Sequence, residues 1–442
     1  MQGVNWKATG TELMNALRTY SYINTQLERI SVEKSLFYSA FTCFSFSEIL
    51  SATAFTTAYP ILGTLCYGLL IVSAILLILR LIMLEITKCQ WILVVLMGLL
   101  ASVVVIVYGF QYPFWILFFI VSARGIDLKT LARITLVLAA FFVLACALAC
   151  YVGVIENYKM YSAGSRAVRN SMGFAHPNRL GEYIAEVCIA YWYLRAGKRN
   201  GRVIALCIVS LLYVYYVANS RTSCIVFIAI ILAVIFYPFL KRNPRFSILL
   251  CGSLATFVVL VSYFFMVAYD PGNSYMSALN GQLSGRLYFM NTSFTYAPPS
   301  LFGNDYSNAP VMAYTLATNS EYRFVVDNAY AHLVLLYGVA VTALLFALIG
   351  LVYRHYYREQ LFPIALLGLT ILLVVGFVEN FTLDVQYNYF LLLISNVIFL
   401  KKRSLISEQT KERQFSSDRL SKAMVGVWRQ KPESPQDSYV IA

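Results

Sequence analysis

The chain has 442 residues, of which 60% are hydrophobic and 12% are charged. This composition is too apolar and too poor in charge for a set of soluble domains, and it predicts a polytopic membrane protein. The net charge of +13 does not indicate nucleic-acid binding, because most Lys and Arg residues lie in short clusters at the ends of apolar segments, where they orient membrane helices.

The expected fold class is all-α, with about twelve apolar segments that could cross a bilayer. In chain order these predicted spans lie near residues 35–55, 60–82, 91–110, 113–123, 133–153, 180–196, 203–218, 223–240, 247–268, 327–350, 361–379 and 385–400. The fourth is short enough for a half-helix, and the sixth carries Glu182 and Glu186. We expect a cytoplasmic segment at 1–34, a membrane domain at 35–403 and a mobile cytoplasmic tail at 404–442.

Alternating these spans divides the loops into two sets, and most basic residues fall in one set. We expect that set, together with both termini, to face the cytoplasm. The other side receives loops 154–179, 219–222 and 380–384 and a large loop at 269–326, whose Gly and Pro residues exclude one continuous helix. Basic residues nevertheless occur on this outer side: Lys159, Arg166, Arg169, Arg179, Arg221, Arg286 and Arg323. Because Lys and Arg are normally scarce there, they indicate an anionic ligand.

The first polar cluster on the outer side is the run GFAHPNRLGEY at residues 173–183. Pro177 suits the first turn of a helix, which puts His176 at the helix entrance beside Asn178 and Arg179. Free N–H groups and the helix dipole attract anions at such a position. The alternative is an interfacial capping segment whose arginines extend toward water.

Further arginines lie upstream and downstream of this run. Arg166 and Arg169 add guanidinium groups that can bind phosphate oxygens in a bidentate manner. Arg221, in the sequence NSRT between two spans, is costly at that depth unless it meets an anion or a carboxylate. The alternative for Arg221 is a structural ion pair with Asp384 or Glu379.

Two more motifs complete the set of polar clusters. Arg286 follows a glycine in the large loop, and the sequence LFGN follows at 301–304. Asp327 and Asn328 then open the tenth span, with His332 deeper along it. Asp327 could cap the helix or accept a proton from a sugar hydroxyl, and His332 could be a packing residue or a catalyst.

Taken in order, GFAHPNRLGEY, NSRT, GR with LFGN, and DNAYAHLVLLYG resemble motifs of the Wzy-type polysaccharide polymerases, which are related to the O-antigen ligases. The resemblance covers roughly residues 30–403, with specific motifs only in these stretches. It implies many spans, a large outer loop and glycosyl transfer from an undecaprenyl-diphosphate-linked glycan, without a metal or cofactor, at the bacterial plasma membrane. The ligases typically have a histidine where this chain has Asp327, which favours a polymerase.

The resemblance also implies roles for the residues of the motifs. Catalytic roles would fall to Asp327, His176 and His332, with Asp327 or His176 as base or as orienter of the acceptor hydroxyl. Diphosphate and glycan would contact Arg166, Arg169, Asn178, Arg179, Arg221, Arg286 and Asn328. Implied partners are membrane lipids, a chain-length regulator and a flippase.

Two rival functions remain open from the sequence. A ligase would transfer finished glycan to an envelope acceptor. A secondary transporter or flippase would use intramembrane carboxylates such as Glu48, Glu182 and Glu186 to carry protons or substrate. Transporters commonly have two similar halves with interrupted helices, and the sequence lacks that symmetry.

Overall fold

The computed structural model describes residues 31–108, 112–161, 168–195, 200–304 and 326–399. The described residues up to Ile398 belong to one unit. The predicted cytoplasmic tail at 404–442 lies outside the described residues, as do residues 1–30 of the predicted N-terminal segment. Residues 31–34 are helical and belong to the first helix, so this helix includes four residues that were predicted to precede it.

Helices make up most of the described chain, as expected for an all-α membrane protein. In the first half they are α1 (31–51), α2 (Phe55–Ala58), α3 (Ile61–Met83), α4 (Lys88–Tyr108), α5 (Tyr112–Ser122), α6 (Leu128–Tyr151) and α7 (Pro177–Leu194). In the second half they are α8 (Gly201–Tyr213), α9 (Arg221–Arg242), α10 (Pro244–Ala268), α11 (Ser274–Gln282), α12 (Arg286–Tyr296), α13 (Ala329–His332), α14 (Gly338–Glu359), α15 (Ile364–Val375) and α16 (Leu393–Ile398).

Short helical turns of other types join some of these helices. A π-helical turn at Val214–Ala218 extends α8, and another at Leu333–Tyr337 joins α13 to α14. Two 3₁₀ turns, Asn380–Leu383 and Tyr389–Leu392, lie between α15 and α16. A π turn adds a residue to the helical repeat and so changes which backbone groups are free to bind other segments.

Within the described residues, 7 helices are long and apolar enough to cross a membrane. They are α3, α4, α6, α8 with its π turn, α9, α10, and α13 with α14. The other predicted spans coincide with α1 and α7, which carry charged side chains, and with α5, α15 and α16, which are short. The chain is therefore a helical membrane protein, and the total of twelve spans stays a prediction.

The outward faces of these helices are apolar, which fits a lipid environment. Ile61 in α3 is 73% exposed and Ile106 in α4 is 81% exposed. Soluble proteins do not present continuous apolar faces of this kind to water. Among the 7 candidate spans, the segment Ala329–Glu359 is the most buried. It packs against α10, and α10 also packs against α15.

The segment between α6 and α7 contains a small sheet that the all-α prediction lacks. Strands β1 (Lys159–Tyr161) and β2 (Val168–Asn170) pair in antiparallel fashion, with Met160 opposite Arg169. The Asn157 side chain holds the hairpin to the following turn, since its carbonyl oxygen accepts from the N–H groups of Ser171 and Met172 at 3.1 and 3.0 Å. The large loop begins with α11 and α12, and its residues 305–325 lie outside the described chain.

A buried arginine joins three chain segments at the end of the bundle that was predicted to be cytoplasmic. Arg80 is 1% exposed. Its guanidinium donates to the carbonyl oxygens of Ser122 at 2.6 Å and Arg124 at 2.7 Å, and also to that of Glu33. These partners come from the segments that the alternation of spans places on the same side as Arg80.

Candidate functional site

Polar residues from three of the loops predicted for the outer side meet at one end of the bundle with Asp327 and Glu379, which adjoin outer loops. Arg169 comes from β2, Arg179 from the start of α7, Arg286 from the start of α12, and Glu379 from the turn after α15. Burial lowers the pKa of Arg169, the nearby charges of Arg286 and Arg221 lower it further, and the charge of Glu379 opposes this shift. We refer to this group, together with His176, Arg221 and Asp327, as the polar cluster.

Arg286 lies at the centre of the polar cluster, between two carboxylates. Its Nε atom is 3.0 Å from Asp327 Oδ2, and its Nη2 atom is 2.9 Å from Glu379 Oε1. The Arg286 side chain is 13% exposed, that of Glu379 5%, and that of Asp327 31%. Glu379 also bonds with the Thr222 hydroxyl. A buried arginine needs such partners, because an unpaired buried charge is strongly destabilising.

Asp327 does not cap the following helix, so that interpretation of the sequence is wrong. Asn328 is the cap: its Oδ1 accepts from the N–H groups of Tyr330 at 3.0 Å and Ala331 at 2.9 Å. The Asn328 Nδ2 donates to Ser262 Oγ at 2.8 Å and to the Phe377 carbonyl at 2.9 Å. Asn328 is 3% exposed, and protein groups occupy the donors and acceptor of its side-chain amide. Asn328 therefore supports the position of Asp327 and has no free donor or acceptor for a ligand.

The half-buried His176 is the N-cap of α7, and Pro177 occupies the first turn as predicted. The His176 Nδ1 accepts a hydrogen bond from the Asn178 N–H at 3.0 Å. A neutral imidazole has one acceptor nitrogen and one N–H, so the Nε2 atom carries the proton. Burial lowers the pKa of His176, and the charges of Arg169 and Arg179 lower it further. The neutral form that makes the cap is therefore favoured.

Arg169 connects the strand pair to the first turn of α7 through Asn178. The Arg169 Nη2 donates to Asn178 Oδ1, and its Nε donates to the Ala218 carbonyl at 3.1 Å. That carbonyl ends the π turn after α8. Arg169 thus has a neutral partner at each contact, and its charge is not cancelled by a carboxylate in direct contact within the described chain. Arg166, predicted beside it, lies outside the described residues.

Arg179 is paired with a buried carboxylate, and its own side chain is 40% exposed. Its Nη1 atom is 2.9 Å from Glu182 Oε2 and donates to the Tyr387 hydroxyl at 3.1 Å. Tyr387 stacks on Tyr183 at 5.5 Å between ring centroids, and Tyr183 stacks on Phe174 at 5.3 Å. This column of rings fixes α7 against the segment after α15 and holds the guanidinium in place.

Arg221 is the exposed arginine of the polar cluster. It is the first residue of α9, and Asn219 just before it adopts a left-handed backbone with φ of 46°. Gly181 allows this corner to pack on α7, since a Cβ there would lie 2.5 Å from Ser223 Oγ. Arg221 makes no ion pair with any described residue, so the predicted structural pair with Asp384 or Glu379 is wrong. Glu379 binds Arg286 in its place.

A cavity of about 160 Å³ adjoins the polar cluster. Its lining includes Arg179, His332, Tyr337, Asn380 and Asp384. Burial and the nearby charge of Glu48 raise the pKa of Asp384 to about 8, against the opposing effect of Arg179. The His332 ring hydrogen-bonds with the backbone of Val326, next to Asp327, and contacts the Tyr337 ring edge-to-face at 5.9 Å. The structure thus brings His332 to the wall of this cavity.

The LFGN and LLYG motifs pack against each other and have a structural role. Gly303 and Gly338 both have positive φ, and a Cβ on Gly303 would lie 1.9 Å from the Leu336 carbonyl oxygen. A Cβ on Gly338 would lie 2.3 Å from the Gly303 nitrogen. The π turn before Gly338 lets the Leu335 carbonyl accept from the Asn304 N–H at 3.1 Å. These glycines fix residues 300–304 of the large loop against the π turn and the start of α14.

Sequence reasoning did not assign a role at the site to Tyr387 or Asn380, and it gave Glu379 a different partner. The signal was present in the sequence: Glu379, Asn380, Asp384, Gln386 and Asn388 interrupt an otherwise apolar C-terminal region. The structure correspondingly ends α15 at Val375 and replaces continuous helix by turns up to residue 388. Irregular backbone at membrane depth is tolerated where protein or a polar cavity satisfies it.

Among the described residues, no group of three or more His, Cys, Asp or Glu side chains is arranged to hold a metal ion. Comparison with known proteins gives no match: no family model fits the sequence, and neither a curated protein nor a solved structure is significantly similar to it.

Proposed function

We propose that this protein is a membrane glycosyltransferase that polymerises oligosaccharide repeat units carried on undecaprenyl diphosphate. The observation that carries the proposal is Arg286 held between Asp327 and Glu379, with Arg169 and Arg221 nearby, at one end of a helical membrane bundle. Arg169 and Arg221 have no carboxylate partner among the described residues, and they lie near Asp327, whose carboxylate is paired with Arg286. A transfer that expels a diphosphate and removes a hydroxyl proton needs both kinds of group.

In the proposed reaction, a hydroxyl oxygen of an incoming lipid-linked unit attacks the anomeric carbon of the growing chain. The bond between that carbon and the diphosphate oxygen breaks, and undecaprenyl diphosphate leaves with the electron pair. Arg169 and Arg221 stabilise the charge that gathers on the diphosphate, because neither is paired with a described carboxylate. Arg286 is held by two carboxylates, so its role is to position them.

Asp327 is the proposed base. Arg286 binds its Oδ2 atom, and no described residue donates to its Oδ1 atom, which can take the proton of the acceptor hydroxyl. His176 is not suited to that role, since its Nδ1 lone pair is engaged by the Asn178 N–H. The Nε2–H group of His176 is instead a donor that can orient a sugar or phosphate oxygen. His332 lines the cavity and takes no proton in the proposed reaction.

The orientation of the protein follows from the same proposal. The polar cluster is assigned to the extracytoplasmic side of a bacterial plasma membrane, and both termini to the cytoplasm. Supporting this assignment, the residues that meet in the polar cluster lie in or next to the loops that the alternation of spans assigns to the outer side, and Arg80 joins segments of the opposite set. A flippase and a chain-length regulator are the expected partners.

A transporter is the second candidate, because one intramembrane carboxylate lacks a cationic partner among the described residues. Glu186 in α7 is 2% exposed, and both of its oxygens accept from Gln386 Nε2 at 3.1 Å. Buried carboxylates of this kind occur in proton-coupled carriers. We place this function second because the cavity beside Glu186 has a volume of only about 10 Å³.

The carrier-linked glycans of a deletion strain test the proposal against both rivals. A polymerase deletion leaves single repeat units on the carrier, accessible to an impermeant glycosidase at the outer leaflet. A ligase deletion accumulates long chains on the carrier, and a flippase deletion leaves single units that the glycosidase cannot reach. Restoration of polymer by the wild-type gene but not by Asp327→Asn would support the proposed base, and either of the other two glycan patterns would overturn the polymerase assignment.

A further inference from the structure

A lateral groove between α10 and α14 lies outside the polar cluster. Two adjoining cavities of about 570 and 290 Å³ share the residues Gly252, Thr256, Leu260 and Tyr353 and together form one groove. One end is lined by Ile248 and Arg354 and the other reaches Leu260 and Tyr330. Since Ile248 is near the start of α10 and Arg354 is near the end of α14, the two helices run antiparallel along it.

The walls of the groove leave room for a chain-like apolar ligand. Gly252 has no side chain, and a Cβ there would meet the Tyr353 ring at 3.6 Å, so a larger residue would fill the space. The Tyr353 hydroxyl bonds with Thr370 Oγ1 at 2.8 Å, which fixes the ring as the inner wall. From Ile248 to Leu260 the groove follows α10 for about 18 Å at the helical rise of about 1.5 Å per residue. One leaflet of the hydrocarbon core is about 15 Å thick.

The charge at one end of the groove indicates what kind of polar headgroup a chain-like ligand would have there. Arg354 is exposed and lines the groove, and within the described chain it makes no ion pair. Tyr357, also at this end, is 38% exposed. A guanidinium at the boundary of the hydrocarbon, above an apolar channel of one leaflet's depth, matches a phosphate with an attached acyl chain.

We propose that this groove binds an anionic glycerophospholipid of the surrounding bilayer, with its phosphate on Arg354 and one acyl chain between α10 and α14. The site does not depend on the proposed glycosyl transfer. Its phosphate end at Arg354 lies at the opposite end of α10 and α14 from Arg286 and Asp327, because Ser262 near the other end of α10 is the residue that contacts Asn328. A diphosphate bound at the polar cluster therefore cannot also bind Arg354.

The test uses the full chain in nanodiscs of phosphatidylcholine that contain a trace of phosphatidylglycerol with a photoactivatable acyl chain. We expect crosslinks to map to the segment 248–260 and to Tyr353, and unlabelled phosphatidylglycerol to compete better than phosphatidylcholine. Arg354→Gln should weaken competition by phosphatidylglycerol about fivefold, the effect of one basic residue near an anionic headgroup. Gly252→Leu should abolish the crosslinks by filling the groove.

Matched controls separate the groove from general lipid contact. Arg358→Gln removes an exposed charge near the same end of α14 and should leave the competition unchanged. Gly98→Leu adds the same side chain at an exposed glycine of α4 with open space around it and should leave the crosslinks unchanged. Equal competition by the two phospholipids, stronger competition by undecaprenyl phosphate, or protection of the groove by a second copy of the chain would each overturn the proposal.

Discussion

The Nδ1 atom of His176 accepts the Asn178 N–H at 3.0 Å, so the imidazole caps its own helix and presents Nε2–H to its surroundings. Asn is also a good N-cap residue. We expect His176→Asn to unfold at the wild-type temperature and His176→Ala to lose about 1 kcal/mol of stability. Both should form polymer more slowly if Nε2–H contacts substrate. Wild-type turnover by His176→Asn would reduce His176 to a helix cap.

The lowered pKa of His176 gives a pH dependence with a definite sign. The folded protein favours the neutral ring, so the unfolded chain binds more protons at this position and stability rises with pH. This contribution is complete above the ordinary pKa of 6.5 and is lost as the pH falls through the lowered folded value. Thermal unfolding from pH 8 to pH 5 should show this acid loss in the wild type and less of it in His176→Asn.

Asp327 and Glu379 share Arg286 but should respond differently to loss of charge. Asp327→Asn should reduce turnover by about 100-fold or more, the range for a general base, with little loss of stability because Glu379 still holds Arg286. Glu379→Gln removes the more buried partner and should destabilise the protein by about 3 kcal/mol. Turnover per folded molecule and unfolding temperature measure the two effects. Unchanged kinetics in Asp327→Asn would exclude it as the base.

Arg221 and Arg242 are the first and last residues of α9 and provide a matched pair. Arg221→Ala should weaken binding of the lipid diphosphate about tenfold without changing stability, because the side chain is exposed and has no ion pair with the described residues. Arg242→Ala at the other end of the helix should leave binding unchanged. The apparent KM for the lipid-linked unit measures the loss of binding. Equal KM values for the two variants would contradict a contact between Arg221 and the diphosphate.

Gly303 and Gly350 test the contact between the large loop and α14. Gly303→Ala places a methyl group 1.9 Å from a carbonyl oxygen of the π turn, and we expect little folded protein. Gly350→Ala, in α14 with open space around it, should be neutral or stabilising by up to about 1 kcal/mol. Size-exclusion profiles in detergent measure the folded fraction. A monodisperse Gly303→Ala protein would show that the close contact is not required.

Two exposed positions at opposite ends of the bundle test the orientation in a background without the native cysteines. Gln282→Cys lies at the end of α11 in the large loop, and Leu361→Cys follows α14. An impermeant thiol reagent should label Gln282→Cys in intact cells and Leu361→Cys only after the membrane is broken. The reverse pattern would invert the proposed topology.

The sequence was most informative where a local property decides the structure. Runs of apolar residues located the long membrane helices but not the short helices α2, α11 and α12, and Pro177 marked the first turn of α7. The pairing of Arg286 with Glu379 spans 93 residues of sequence, and nothing local distinguishes it from a pair with Arg221. Asp327 and Asn328 are both good capping residues. Only backbone geometry decides that Asn328 caps the helix and that Asp327 binds Arg286 instead.

The strand pair at 159–170 escaped prediction for a similar reason. Each strand has three residues, too few for an alternating pattern to be distinct from chance. The role of Gly303 was also hidden, because its close neighbour Leu336 is brought near only by the π turn. Such contacts depend on tertiary packing, which a single sequence does not disclose.

The attachment of the large loop to the long central helix uses backbone groups: Val339 and Ala340 donate to the carbonyls of Ser300 and Leu301, both at 3.0 Å. Leu301 is 59% exposed. Because main-chain atoms make these two bonds, the Leu301 side chain is free to diverge in size and polarity while the loop keeps its place. Under the proposed glycosyl transfer, exchanging Leu301 is a way to alter acceptor preference without moving the loop, provided that Gly303 and Gly338 are retained.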